Sequence, residues 1–287
     1  MQPKKINELI TEAMAIEAED AKEAGALGYM CRSLVQATLP HKAVKGNIFK
    51  RTNGAFTLSL MTPIDDGLPY GTIPRLLVAW LTSEAVKTKQ RELVLGHSLA
   101  EFLHELGMES RGGARGDITR LKNQMYRLFS SFISCTYTAG DQASIHNLTL
   151  VDSANLWWEP KTSPDQISLF ESNVTLSQRF FDEITQNPVP IDTRALYALK
   201  RSPMAIDIYC WLTYRMFTLR KYTPIPWEAL QLQFGADYKQ TRQFKAAFLE
   251  QLAKVQTLYP GAKVAEEKSG LILSPSPPHI KPTKRLR

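Results

Sequence analysis

Two groups of long donor side chains are the residues of this chain whose types and spacing could do chemistry. Between positions 111 and 127 stand Arg111, Arg115, Arg120, Lys122 and Arg127 against the single acid Asp117, a local balance of +4, with Thr119 and Asn123 among them. Between 239 and 245 stand Lys239, Gln240, Arg242, Gln243 and Lys245. Guanidinium, ammonium and amide donors bind phosphates and read base edges in DNA, so the chemistry indicated is recognition of a polyanion. An amphipathic helix with a merely solvated face has the same composition.

Other chemistries are poorly provided for. No G-x-x-x-x-G-K-[ST] occurs, and Gly112, Gly113 and Gly116 lack the lysine of a phosphate-binding loop. The histidines are His41, His97, His104, His146 and His279, and no two lie within six residues, which argues against a metal-dependent nickase. His97, Glu101 and His104 have a spacing that could suit zinc. However, His97 precedes the helix cap expected at Ser98, and Glu101 completes the capping box. Cys31, Cys135 and Cys210 are far apart with no CxxC pair, so reduced, buried thiols are expected. The expectation is a protein that is not an enzyme and has no cofactor or metal.

The first basic group belongs to a long helix. Ile118, Leu121, Met125, Leu128 and Phe132 recur at three- and four-residue spacing and predict one buried stripe opposite the cations. Before it, Pro74 suits the first turn of a helix with Leu76, Leu77, Trp80 and Leu81 inside, Arg91–Leu95 reads as a short strand, and Ser98 with Glu101 starts a helix at Leu99. After it, Ser131–Thr138 and Ser144–Val151 flank Ala139-Gly140-Asp141 as a hairpin. Helix, helix, basic helix and hairpin is the order of a winged helix, with this hairpin as its wing. An earlier hairpin is expected at Asn47–Arg51 and Phe56–Met61 around Asn53-Gly54.

Glu159–Asp165 (EPKTSPD) reads as a linker, after which the grammar repeats. Ile167–Leu176 alternates as a strand, Gln178–Ile184 is a short helix, and Asp192 and Ser202-Pro203 cap two more. Pro226–Phe234 is a short helix ending at Gly235. Thr241–Val255 is a long one with Phe244, Phe248, Leu252 and Val255 inside and the second basic group outside. A hairpin, Lys263–Ala265 with Leu271–Ser274, closes the set. Trp80-Leu81-Thr82 and Trp211-Leu212-Thr213 mark the same place in both halves. The fold class expected is α+β, two tandem winged-helix domains at 31–160 and 161–287, behind an acidic helical segment at 1–30. Two such modules could occupy successive major grooves.

The 287 residues are 44% hydrophobic and 22% charged, enough for two soluble domains. No run of about 18 apolar residues predicts a membrane span. The N-terminus has acids where a secretion signal needs an apolar core, so a cytoplasmic address is expected. Residues 1–30 carry −3 of a net +7, so the acidic helix near Ile6–Ala24 is not the DNA-facing part and could contact a protein partner or pack on the body. Lys281, Lys284, Arg285 and Arg287 make a basic tail, either a phosphate-binding arm or a solvated end.

The stretches 68–107, 112–129, 188–216 and the terminal SPSPPHI (274–280) resemble the RepA-type plasmid replication initiators, over roughly residues 39 to 280. The resemblance implies two winged-helix domains that bind repeated origin sites (iterons) in double-stranded DNA, with the contacts on the helix faces Arg111–Arg127 and Lys239–Lys245. It further implies self-association, with monomer and dimer exchanging, and recruitment of a host helicase or its loader. Two alternatives stay open: a dimeric winged-helix transcriptional repressor, and an interaction module whose winged helices no longer bind DNA.

Overall fold

The computed structural model describes residues 3–96, 98–109, 116–156, 172–235 and 238–281. The chain opens with α1 (Pro3–Ala18), β1 (Leu27–Met30), α2 (Arg32–Gln36) and the hairpin β2 (Ile48–Asn53) with β3 (Phe56–Met61). A first unit comes next: α3 (Thr72–Thr88), β4 (Glu92–Val94), α4 (Leu99–Glu105) and α5 (Asp117–Phe129). After these stand β5 (Phe132–Ala139), β6 (Gln142–Thr149), β7 (Val151–Asn155) and β8 (Asn173–Leu176). Then α6 (Gln178–Gln186), β9 (Val189–Asp192) and α7 (Thr193–Ala198) lead to a second unit. It comprises α8 (Pro203–Thr218), β10 (Thr223–Pro226), α9 (Trp227–Phe234), α10 (Thr241–Leu258), β11 (Val264–Glu266) and β12 (Gly270–Leu273).

Four helices, α4, α6, α7 and α8, start on a side-chain cap. An N-cap oxygen relieves an amide that has no partner inside the helix. Ser98 accepts from Glu101 N–H at 3.1 Å, Ser177 from Phe180 at 3.2 Å, Asp192 from Arg194 at 2.9 Å and Ser202 from Ala205 at 3.2 Å. The first helix is shorter than expected, ending at Ala18 where a turn intervenes and the Asp20 carboxylate takes the N–H of Lys22.

Every strand pairing among the described residues is antiparallel, and two of the sheets have the same order. In the first unit it is β4–β8–β7 and in the second β10–β12–β11, so the last strand lies between the other two in both. Each unit then reads helix, strand, helix, helix, with a closing strand pair. Trp80 of α3 stands edge-on to Phe102 of α4 at 4.9 Å, and Trp211 of α8 edge-on to Phe234 of α9 at 5.4 Å. Their neighbours Leu81 and Leu212 are fully buried. The shared tripeptide therefore performs the same packing task twice.

The long-range pairing departs from the sequence expectation in three places. The Ser131–Val151 hairpin forms as β5–β6, but β5 also pairs with β3 from Phe56↔Tyr137 to Met61↔Phe132, giving the sheet β2–β3–β5–β6. A lone hairpin buries too little, whereas this sheet hides Phe49, Leu58, Leu60, Ile133 and Cys135 on one face. It is thus not a terminal wing; the strand pair closing the first unit is β7–β8. Second, β8 lies beyond the expected boundary at 160 and the expected linker, yet it is bonded to β4 and β7 before them. Residues 159–165 themselves lie outside the described residues, as do Trp157 and Trp158. Third, Phe132 is in β5 and half exposed, not on the buried stripe of α5.

The N-terminal segment is joined to the body. Strand β1 pairs with β9 from Leu27↔Asp192 to Met30↔Val189, and Arg194 donates to the carbonyls of Ala15 and Glu19. At the other end His279 is hydrogen-bonded to Tyr209 at 2.8 Å and lies against the Tyr259 ring.

Candidate nucleic-acid interface

Helix α5 is placed by Leu121, Met125 and Leu128, all fully buried, and by Gln124, whose Oε1 accepts the Tyr70 N–H at 2.9 Å. Turning those positions inward presents Arg120, Lys122 and Asn123 to solvent, with Thr119 half-buried beside them. Arg120 is held by Asp117 at 2.9 Å, one turn back, which steadies the guanidinium without hiding it. Asp117 also sits in the first turn, where an acid complements the helix dipole. Arg111 and Arg115 lie outside the described residues.

Arg127 differs from the rest of its group. Its Nη1 donates to the Leu68 carbonyl at 3.4 Å and its guanidinium lies 5.3 Å from the centre of the Tyr70 ring. It anchors α5 to the 67–70 loop. Tyr126, which donor counting overlooked, is exposed at 51% on the face of Lys122 and Asn123. Its position one turn beyond Lys122 was the available signal.

Helix α10 repeats the arrangement. Phe244, Phe248, Leu252 and Val255 are buried, while Lys239, Gln240, Arg242 and Gln243 are exposed around its N-terminal end. Lys245 is tied inward: it pairs with Glu266 of β11 at 2.8 Å and lies 4.9 Å from the Trp227 ring centre. Of the two groups, then, Arg120, Lys122, Asn123, Lys239, Gln240, Arg242 and Gln243 face solvent, and Arg127 and Lys245 brace their own units.

No group of three His, Cys, Asp or Glu side chains among the described residues could hold a metal, and His97 of the zinc-like spacing lies outside them. No described helix is long and apolar enough to cross a membrane. The cysteines are buried and unpaired, and burial pushes the Cys135 thiol up to about 11, far from a reactive thiolate.

A buried charged cluster lies where the two units meet. Arg75 of α3 faces Asp207 of α8 through two hydrogen bonds of 2.7 Å, and His41 Nε2 lies 2.7 Å from the same carboxylate. Burial alone would raise the Asp207 carboxyl, but the Arg75 and His41 partners outweigh it and hold it below the ordinary range. Burial dominates for His41 and lowers it.

The sequence matches the family model for plasmid-encoded RepA protein over residues 68–228, more than half of the chain. The chain belongs to the plasmid-encoded RepA family. The RepA match begins at the loop that holds Arg127, takes in α5 and the Arg75–Asp207 pair, and ends within α9, so α10 lies beyond it. Among solved structures the fold is similar to domains 2 and 3 of RctB, with a TM-score of 0.55 at 12% identity, covering 84% of this chain and 97% of that one. No curated protein sequence matches significantly.

Proposed function

We propose that this RepA-family chain is a plasmid replication initiator that binds repeated double-stranded sites in its origin through two winged-helix modules, with α5 and α10 as the recognition helices. The observation that carries the reading is the repeated order of helices and strands, each copy offering an exposed basic and amide-bearing third helix. Family membership supplies the plasmid context. The likeness to domains 2 and 3 of RctB supports the same two-unit fold.

In this reading Arg120, Lys122 and Asn123 on α5, and Lys239, Gln240, Arg242 and Gln243 on α10, face the grooves, with Thr119 at the edge of the first. Arg111 and Arg115, just ahead of α5, join them. Binding supplies the energy for opening: several copies on adjacent repeats deform the duplex and bias an A·T-rich segment toward unstacking. The chain recruits a host helicase or its loader and exchanges between monomer and dimer.

Footprinting on the origin region of its own plasmid tests the proposal. Several direct repeats, each protected over about two helical turns, are expected. Affinity should fall steeply with salt, since each phosphate contact releases counterions. A single protected inverted repeat beside a promoter would indicate the repressor instead, and no protection at low salt would leave only an interaction module.

A further inference from the structure

We infer that Arg75, Asp207 and Gln124 are positioning residues that lock the angle between the two recognition helices, and so set which spacing of half-sites the protein accepts. This rests on the two-helix reading above.

Arg75 uses its whole donor set at the junction of the two units. Nε and Nη2 donate to the two Asp207 oxygens at 2.7 Å, and Nη2 also donates to the Leu39 carbonyl at 2.7 Å. Nη1 donates to the carbonyls of Gly71 at 2.6 Å and Pro40 at 3.2 Å. A guanidinium has five N–H groups in a rigid fork, and here each has an acceptor. The acceptors lie on α8, on the 39–40 segment and on the loop entering α3. Arg75 is 3% exposed and Asp207 7%, so water does not compete at this joint.

The loop side of the joint leads directly to the first recognition helix. Gly71, which accepts from Arg75, comes after Tyr70, whose N–H is held by Gln124 of α5 and whose ring faces Arg127. Gln124 is buried, so it cannot read DNA; its amide fastens α5 to the loop.

The other side leads to the second recognition helix. The 36–41 segment that receives Arg75 also grips α9. Gln233 Nε2 donates to the Gln36 carbonyl at 3.0 Å, and Thr38 Oγ1 donates to the Gln233 carbonyl at 3.1 Å. Phe234, next to Gln233, packs on Phe248 of α10 with ring centres 5.4 Å apart. A continuous line of hydrogen bonds and ring contacts thus runs from α5 through Gln124, Tyr70, Arg75 and the 36–41 segment to α9 and α10. Modules joined this way add their binding only on DNA whose half-sites match the fixed geometry, whereas loosely joined modules tolerate a range.

The test uses the full chain and duplexes selected from a random pool by the wild-type protein, with the separation of the two protected blocks then lengthened by 1, 2 or 5 base pairs. Two added pairs rotate one block by about 70° relative to the other. Wild type should lose about tenfold or more in affinity on the 2-pair insertion. Arg75→Lys, which keeps the charge but not the fork, and Gln124→Leu, which removes the hydrogen bond between α5 and the Tyr70 N–H, should each lose less than about threefold. Their affinity for either block alone should stay within about twofold of wild type, a separation expected when the link and not the contacts has changed.

Gln124→Leu leaves the buried ion pair intact, so it decides the matter if Arg75→Lys does not fold. A folded variant with the wild-type spacing profile would overturn the inference and reduce the joint to a stabilising contact, with the two-helix reading untouched. A wild-type chain that protects a single block would overturn that reading and this inference with it.

Discussion

The two units solve one packing problem with different amounts of chain. In the second, α10 runs after a short turn into β11–β12, and the sheet β10–β12–β11 closes at once. In the first, the hairpin β5–β6 is inserted between α5 and β7–β8 and is captured by the β2–β3 hairpin from before α3. A basic helix packed on the two helices before it, with a small three-stranded sheet, is the constant part; the chain between that helix and its closing strands can lengthen if the insertion finds a partner to bury its apolar face. Both units also divide their cations alike. Those near the start of the helix face solvent, and one further along, Arg127 or Lys245, lies over an aromatic ring of its own unit.

The sharpest break in the comparison is at the joint between the units. Arg75→Met leaves Asp207 buried without its main partner and should cost about 3–5 kcal/mol by chemical denaturation. Replacing Asp207 by Leu as well should recover part of that loss, because a buried pair is costlier to break than to replace by apolar groups.

The glycine after the second helix of each unit distinguishes the two turns. A Cβ at Gly235 would overlap the Phe244 ring, and one at Gly107 would overlap Tyr197. Gly235→Ala should lose about 1–3 kcal/mol through overpacking alone. Gly107 also has φ +65°, so Gly107→Ala carries backbone strain in addition and should be the more destabilised variant in parallel thermal melts.

The exposed and anchored cations should separate in DNA-binding assays. Arg120→Ala and Arg242→Ala should each weaken specific binding by about 1–3 kcal/mol where the side chain reaches a base, with folding little changed. An equal loss on random DNA would mark a phosphate contact. Arg127→Ala should chiefly lower stability, and a purely specific loss there would contradict its place against Leu68 and Tyr70.

Acid should loosen the body more gradually. Burial lowers the His41 and His279 pKa below the ordinary 6.5, so the unfolded chain takes up protons the folded one declines. Stability should therefore fall as pH drops through and below 6.5. Asp207 is also lowered and adds a loss only below its ordinary 3.8. Melting between pH 7.5 and 5.5 should show a downward shift that His41→Gln and His279→Gln each reduce. The smallest effect is expected from Lys245→Met: its pair with Glu266 is partly exposed, worth about 0.2–1 kcal/mol, and DNA affinity should hardly change.

Much of this molecule is written in short spans of chain. Ser98, Ser177, Asp192 and Ser202 start helices because a side-chain oxygen reaches an amide two or three residues on. Asn53-Gly54 turns β2 into β3 because Gly54 adopts φ +57°. The apolar stripes of α5 and α10 show which faces turn inward, and therefore which cations turn out. These signals act over one or two turns, so the residues themselves determine them.

Only the tertiary structure decided the rest. That β5 joins β3 depends on a hairpin more than seventy residues earlier, and that β8 belongs with β4 depends on a strand some eighty residues away. Strand propensity says that a segment will pair but not with which partner, because the partner is chosen by burial across the sheet. Arg127 and Lys245 look like their neighbours in sequence and differ only because Tyr70 and Trp227 come to lie beneath them. Arg75 and Asp207, 132 residues apart, carry no local mark of their pairing. Their contact exists because both helices pack into one interior, where a buried charge requires an opposite charge within reach.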